Sequence, residues 1–312
     1  MGMRQRRFAS LGPHGFHRIA YTDWGIASSS HVVVCMHGLT RNSRDFDWLA
    51  RALRRDCRVV CIDVAGRGES DWLEYRDDYT FRQYQTDAAA LIARVAARDG
   101  GVLASLFGTK RAFSDATVDW VGTSMGGLIG MLLAAQPRSP IRRLVLNDVG
   151  AFIPWAALMR IKGYIMMRPK YDTFAEAAAA LRQACAQWGP MTEDQHAHLA
   201  RHGIRRHEDG SYGFACDPRI ADATTWGFSP DARVGSRNLL GLEMWSEWEQ
   251  VRCPVLVLRG KESDVLPADT VRRMCSRPAR TEVIEFDGIG HAPALMAHNQ
   301  IEPVRDFLLS SD

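Results

Sequence analysis

Ser124 lies in Gly122-Thr123-Ser124-Met125-Gly126, a G-x-S-x-G pattern with the apolar run Val118–Val121 before it and Gly127-Leu128-Ile129-Gly130 after it. A serine on a tight strand-to-helix turn needs glycine neighbours, because side chains there would collide with the following helix. Such a turn exposes the hydroxyl and aims the first helical amides at any negative charge that develops beside it. The same five residues could also form an ordinary glycine-rich turn with a capping serine, so the flanking strand and helix carry the argument. A hydroxyl is a poor nucleophile at neutral pH and requires a base, which in turn requires an orienting carboxylate. His291, in Gly288-Ile289-Gly290-His291-Ala292-Pro293, is the candidate base, since small neighbours let an imidazole loop approach closely. Asp264, on the loop after the apolar run 254–258, is the preferred acid, and Asp148, at the end of the run 141–146, is its rival. Either preserves the chain order Ser, Asp, His. The Met125 and Leu39 amides are the expected donors to a tetrahedral oxyanion. The chemistry is acyl transfer without a metal or organic cofactor.

These residues need a scaffold that brings them to one edge. Continuous apolar runs at 32–36, 58–62, 118–121, 141–146, 254–258 and 281–286 read as strands buried on both faces, and they alternate with helical spacing at 46–53, 80–98, 125–135, 268–275 and 299–309. Two runs at 4–9 and 16–22 read as an opening hairpin. Alternation of this kind predicts a mostly parallel sheet covered on both faces, with ligand sites at the carboxyl ends of its strands. His37, Asp63, Ser124, Asp148, Asp264 and His291 all follow strands. Residues 99–116 read as a surface insertion. Between Ala151 and about Trp248 the pattern turns helical with no strand between, which predicts an inserted lobe. The domains are therefore 1–150 (core), 151–248 (helical cap) and 249–312 (core resumed).

The chain has 312 residues, 46% of them hydrophobic, enough for one full core and a lobe. A formal charge of +3 and a pI of about 8.5, with arginine dispersed, give little support to nucleic-acid binding. The basic N-terminus has no apolar run behind it, and no stretch is long enough to span a membrane. Seven cysteines with no C-x-x-C pair read as reduced thiols of a cytoplasmic protein. The oligomeric state is left open, a homodimer included.

Taken together, His37-Gly38, Asp63-x-x-Gly66-x-Gly68-x-Ser70, the serine turn, Gly260-x-x-x-Asp264 and Gly290-His291 resemble the α/β-hydrolase superfamily, in the branch with a helical cap after the sixth core strand. The resemblance implies an eight-stranded, mostly parallel sheet and a serine–histidine–acid triad. Serine at the elbow, where capped epoxide- and halide-processing relatives carry aspartate, implies a carboxylic-ester hydrolase acting on a small molecule. The stretches 39–46, 71–73 and 146–150 are similar to a group of bacterial esterases that includes intracellular 3-hydroxybutyrate oligomer hydrolases. Lactonases, carbon–carbon bond hydrolases, perhydrolases and acyltransferases would use the same triad, and some proteins of this fold act as ligand receptors.

Arg41 and Arg44 could hold a substrate carboxylate, or could equally be solvated or paired with Asp45 and Asp47. His196, His198, His202 and His207 have poor spacing for a metal and are expected on the solvent side of a cap helix. Met159, Met166, Met167, Trp155 and Tyr164 could line an acyl pocket or pack the cap.

Overall fold

The apolar residues of each central strand divide between two cores. Val32, Val34 and Met36 pack on one face of the sheet, and Val33 and Cys35 on the other. The same alternation runs along Val255 to Leu258, as the two-residue period of a strand requires. The computed structural model describes residues 2–96, 117–222, 237–238, 241–276 and 280–310. The insertion expected at 99–116 lies outside the described residues.

Strands β1 (Arg4–Gly12) and β2 (Gly15–Trp24) form the opening hairpin, followed by β3 (His31–Met36), α1 (Asp47–Leu53), β4 (Arg58–Ile62), α2 (Phe81–Ala96), β5 (Thr117–Thr123), α3 (Met125–Ala134) and β6 (Ile141–Asn147). An inserted lobe comes next. It contains β7 (Phe152–Pro154), α4 (Trp155–Met166), α5 (Phe174–Ala184), α6 (Glu193–Gly203), β8 (Ile204–Arg206), β9 (Tyr212–Phe214), β10 (Arg237–Asn238), β11 (Gly241–Glu243) and α7 (Trp245–Trp248). The core then resumes with β12 (Val255–Gly260), α8 (Ala268–Cys275), β13 (Thr281–Phe286) and α9 (His298–Leu309).

The eight-stranded sheet has the order β1-β2-β4-β3-β5-β6-β12-β13, antiparallel at β2 and parallel from β4 onward. Helices α2, α3 and α8 cover one face with Leu91, Leu128 and Val271, while α1 and α9 cover the other with Leu49, Leu53, Val304 and Leu308. No helix among the described residues is long and apolar enough to cross a membrane.

The lobe after β6 is a cap, but it is not purely helical as expected. β10, β11 and β7 form a small antiparallel sheet and β8 and β9 form a hairpin. Strands of two or three residues are too short to show a two-residue period, and β7 finds its partner β11 about ninety residues on. The cap helices do carry local start signals. Thr173 with Glu176 and Thr192 with Gln195 form reciprocal capping boxes at α5 and α6. Leu181, Cys185, Leu199 and Ile204 pack the cap against Met296 of the core.

Candidate active site

Ser124 occupies the turn between β5 and α3 with φ of 52° and ψ of −116°. A non-glycine residue held there costs about 1–3 kcal/mol, so surrounding contacts must hold it. The Ser124 amide donates to Asn147 O at 3.0 Å, and the Gly127 and Leu128 amides donate to Ser124 O. Packing forbids side chains beside it. A Cβ on Gly122 would land on the backbone of Gly126, and one on Gly126 would land on the Met36 carbonyl. The glycines thus let the helix, the strand and the end of β3 meet at van der Waals distance.

His291 reaches this serine. Its Nε2 lies 2.8 Å from Ser124 Oγ, and its Nδ1 lies 2.7 Å from Asp148 Oδ2. A carboxylate can only accept, so Nδ1 carries the proton and leaves Nε2 free to accept from the serine hydroxyl. Asn147 ties the pieces together. Its Nδ2 donates to Thr123 Oγ1 at 3.0 Å and to Pro293 O at 2.9 Å, linking the serine turn to the histidine loop. The Gly290 and Ala294 amides donate to Gln187 O and Trp188 O of the cap, so the histidine loop is clamped from both sides.

The carboxylate beside His291 is Asp148, whereas the expected acid was Asp264. Asp148 is fully buried, and besides His291 it accepts from the Gly260 amide at 2.9 Å and from Ser263 Oγ at 2.6 Å. Strands β6 and β12 are parallel neighbours with Leu258 opposite Asn147, so the residues after both strands reach the same edge of the sheet. Asp148 follows β6 directly, and its φ of 55°, with its backbone N–H donating to Leu258 O at 2.8 Å, turns its side chain under the histidine. In the loop after β12 it is Ser263 that points inward. Asp264 points outward to Arg160 of α4, whose Nε and Nη2 donate to its carboxylate at 2.6 and 2.7 Å. Partial burial raises the Asp264 carboxyl, but the Arg160 pair outweighs it and holds the group below its ordinary range. This pair joins cap to core. Both side chains are half exposed, so it is worth at most about 1 kcal/mol.

Leu39 and Met125 both line the chamber around Ser124, and neither backbone amide donates to a backbone acceptor among the described residues. Three groups hold the loop that carries Leu39. His37, fully buried, accepts from the Val64 amide at Nε2 and so donates from Nδ1 to Gly38 O at 2.7 Å. Arg67, also buried, donates from Nε to Leu39 O at 2.8 Å and from Nη1 to Ala65 O and Tyr84 Oη. Asp63 accepts from the Ser43 amide at 2.7 Å and the Glu69 amide at 3.0 Å. The aspartate motif of 63–70 is therefore a brace for the loop that carries Leu39. Arg67, Asn147 and Ser263 had no sequence signal beyond their places at strand ends, because their partners are distant in the chain.

Arg41 and Arg44 part company. Arg44 is taken up by Asp47, with Nη2 donating at 2.6 Å, and it does not line the chamber. Arg41 does line it, paired to Asp45 through Nε at 2.9 Å and Nη2 at 2.7 Å and stacked 5.2 Å from the centre of the Trp188 ring. The chamber measures about 400 Å³. Its walls are mostly apolar, with Leu128, Ile153, Ile161, Tyr164, Leu181 and Met296 among them. Of the cap residues named from sequence, Tyr164 reaches this wall, whereas Trp155, Met159, Met166 and Met167 are exposed. His198 and His202 turn inward rather than to solvent. His198 Nε2 lies 3.0 Å from Arg44 O and its ring meets Trp48 edge-on. No metal-binding cluster occurs among the described residues.

Burial sets the pH dependence of stability. It holds His37 at about 3 and, with Arg44, His198 and Arg201 adding to it, His202 at about 4, against an ordinary 6.5. It pushes Asp63 up to about 6, from an ordinary 3.8. Between pH 6.5 and 4 the unfolded chain protonates both histidines before the native state does, which removes stability as pH falls. Asp63 acts in the opposite sense, its contribution being present at low pH and lost as pH rises through 6. Two protons outweigh one, so stability should fall by about 1 kcal/mol per pH unit on acidification across this window. Urea midpoints at pH 7, 6 and 5 measure it, and a midpoint that holds or rises would contradict the assignment.

The alpha/beta hydrolase family model matches residues 33–302. The chain is 39% identical over 300 residues to the 3-hydroxybutyrate-oligomer hydrolase of Cupriavidus necator, covering 95% of this chain and 94% of that protein. Among solved structures, an alpha/beta hydrolase from Novosphingobium aromaticivorans superposes with a TM-score of 0.77 at 32% identity, covering 98% of each chain. A hydrolase-fold structure from Rickettsia typhi reaches a TM-score of 0.83 at 27% identity over the whole of both chains. Fold, serine turn and relatives agree: the chain belongs to the alpha/beta hydrolase family, as a serine-type carboxylic-ester hydrolase.

Proposed function

We propose that this enzyme cleaves short esters of hydroxyacids, linear 3-hydroxybutyrate oligomers being the leading case, through an acyl-enzyme on Ser124. The observation that carries the reading is the imidazole of His291 held between Ser124 Oγ and the buried Asp148 carboxylate. His291 Nε2 takes the hydroxyl proton as Oγ attacks the ester carbonyl, and the Leu39 and Met125 amides receive the oxyanion. The imidazolium then gives that proton to the departing alcohol oxygen. A water, deprotonated by the same nitrogen, attacks the acyl-enzyme, and the imidazolium returns that proton to Ser124 Oγ as it leaves, which frees the acid and restores the serine.

The substrate class rests on the chamber and on the similarity to the Cupriavidus necator enzyme. A chamber of about 400 Å³ is small by the standards of ligand pockets. Among its apolar walls stands Arg41, whose Nη1 has no acceptor among the described residues. That donor suits the terminal hydroxyl or the additional ester oxygens of a hydroxyacid oligomer, which a plain fatty ester lacks. The seven unpaired thiols suit a reducing, cytoplasmic setting.

A substrate panel tests the reading. The linear dimer and trimer of 3-hydroxybutyrate, a plain butyrate ester, a lactone and a vinylogous diketone are compared by kcat/KM. The hydroxyacid oligomers should exceed the butyrate ester by about ten-fold or more, the effect of one well-placed hydrogen bond to a charged donor. A preference for the lactone or the diketone would replace the reading with that chemistry, and binding without turnover of any of them would point to a receptor.

A further inference from the structure

A second cavity, of about 660 Å³, adjoins the chamber of Ser124. Thr40, Tyr164, Ile165 and Phe214 line both, so the two share a wall. Thr40 follows Leu39 directly, which puts this shared wall next to the proposed oxyanion donor. The far side is built from the β8–β9 hairpin, the segment after α4, Trp72 and residues 216–218.

The charges around this cavity do not cancel. Lys170 is spent on Asp209 and Arg168 on Asp222, while Asp217 accepts from Tyr79 Oη and Arg219. What is left is Arg205 and Arg206 against Glu208, and the contacts these arginines make among the described residues go to the Trp72 ring and to Gly210 O rather than to a carboxylate. Both are positioned. The Arg205 guanidinium stacks over the Trp72 ring at 4.6 Å, which leaves the donors around its edge available. Arg206 Nε donates to Gly210 O at 3.3 Å, fixing its head group on the hairpin.

We propose that this cavity is the subsite for the carboxylate-bearing end of a linear hydroxyacid ester, with Arg205 and Arg206 as its anion-binding pair. The inference rests on the substrate reading given above and adds a polarity to it. The ester bond sits at Ser124, and the free acid end runs past Thr40 and Tyr164 toward the hairpin. A neutral ester of the same chain fills the first chamber equally but gains nothing from the second.

The test compares the linear 3-hydroxybutyrate trimer as free acid with its methyl ester, by the ratio of their kcat/KM values at low ionic strength. The wild-type ratio favours the free acid and shrinks as salt is added, since partly exposed charges are screened. In Arg205→Gln/Arg206→Gln the ratio should fall about ten-fold, the size of a charge-assisted hydrogen bond. Glu208→Gln, which removes the opposing charge, should raise it and gives a readout even if the double variant folds poorly. A wild type that cleaves both trimers, with a ratio unmoved in these variants, overturns the inference and leaves the substrate reading standing. A wild type inactive on both trimers yet active on simple esters overturns the substrate reading and the inference with it.

Discussion

Asp148→Asn is expected to lower kcat/KM toward a p-nitrophenyl short-chain ester by about three to four orders of magnitude, while Asp264→Asn should stay within about three-fold of wild type. The asymmetry follows from what each carboxylate touches. Asp148 is buried and takes three donors, the Gly260 amide, Ser263 Oγ and His291 Nδ1. An asparagine cannot satisfy them all. If its NH2 faces His291, Nδ1 must accept, and the proton moves to Nε2, where it faces the serine and blocks deprotonation. If its NH2 faces Gly260 instead, two donors oppose each other in a buried site. Asp264 has a solvated partner in Arg160 and no bond to His291 among the described residues. Steady-state kinetics on the two variants, with a thermal melt to show that both are folded, measures the difference. Greater damage at Asp264 would reverse the assignment.

Ser124→Ala should remove turnover by about five to six orders of magnitude, and His291→Ala should do nearly the same. The double variant should be no worse than either single one, because nucleophile and base act as a unit. Additive losses would mean that the two residues work independently, and the shared proton path would then be wrong. A serine-directed phosphonate should add its mass to the wild type and not to Ser124→Ala. The same variant should lose the rapid burst of p-nitrophenol that precedes the steady state.

The serine turn and the histidine loop beside it were legible in the sequence because each is a local affair. Glycines flank Ser124 and precede His291 where backbones must touch, and the buried strands announce themselves as unbroken apolar runs. The acid was not legible, because that choice depends on which of two neighbouring strands turns its next side chain inward. The φ of 55° at Asp148 and the inward set of Ser263 decide it, and neither leaves a mark in composition or spacing. Arg44 and Arg41 look alike in sequence. Only the fold sends one to Asp47 and the other into the chamber. The cap's small strands escaped because two or three residues carry too little pattern, and β7 pairs with β11 far along the chain.

The turn after β12 sets two neighbouring residues back to back, Ser263 toward the proton path and Asp264 toward the lid. The buried carboxylate and the cap helix thus take their bonds from opposite sides of one bend. A change of the cap partner at position 264 would therefore leave the Ser263 bond to the carboxylate beneath the imidazole as it was.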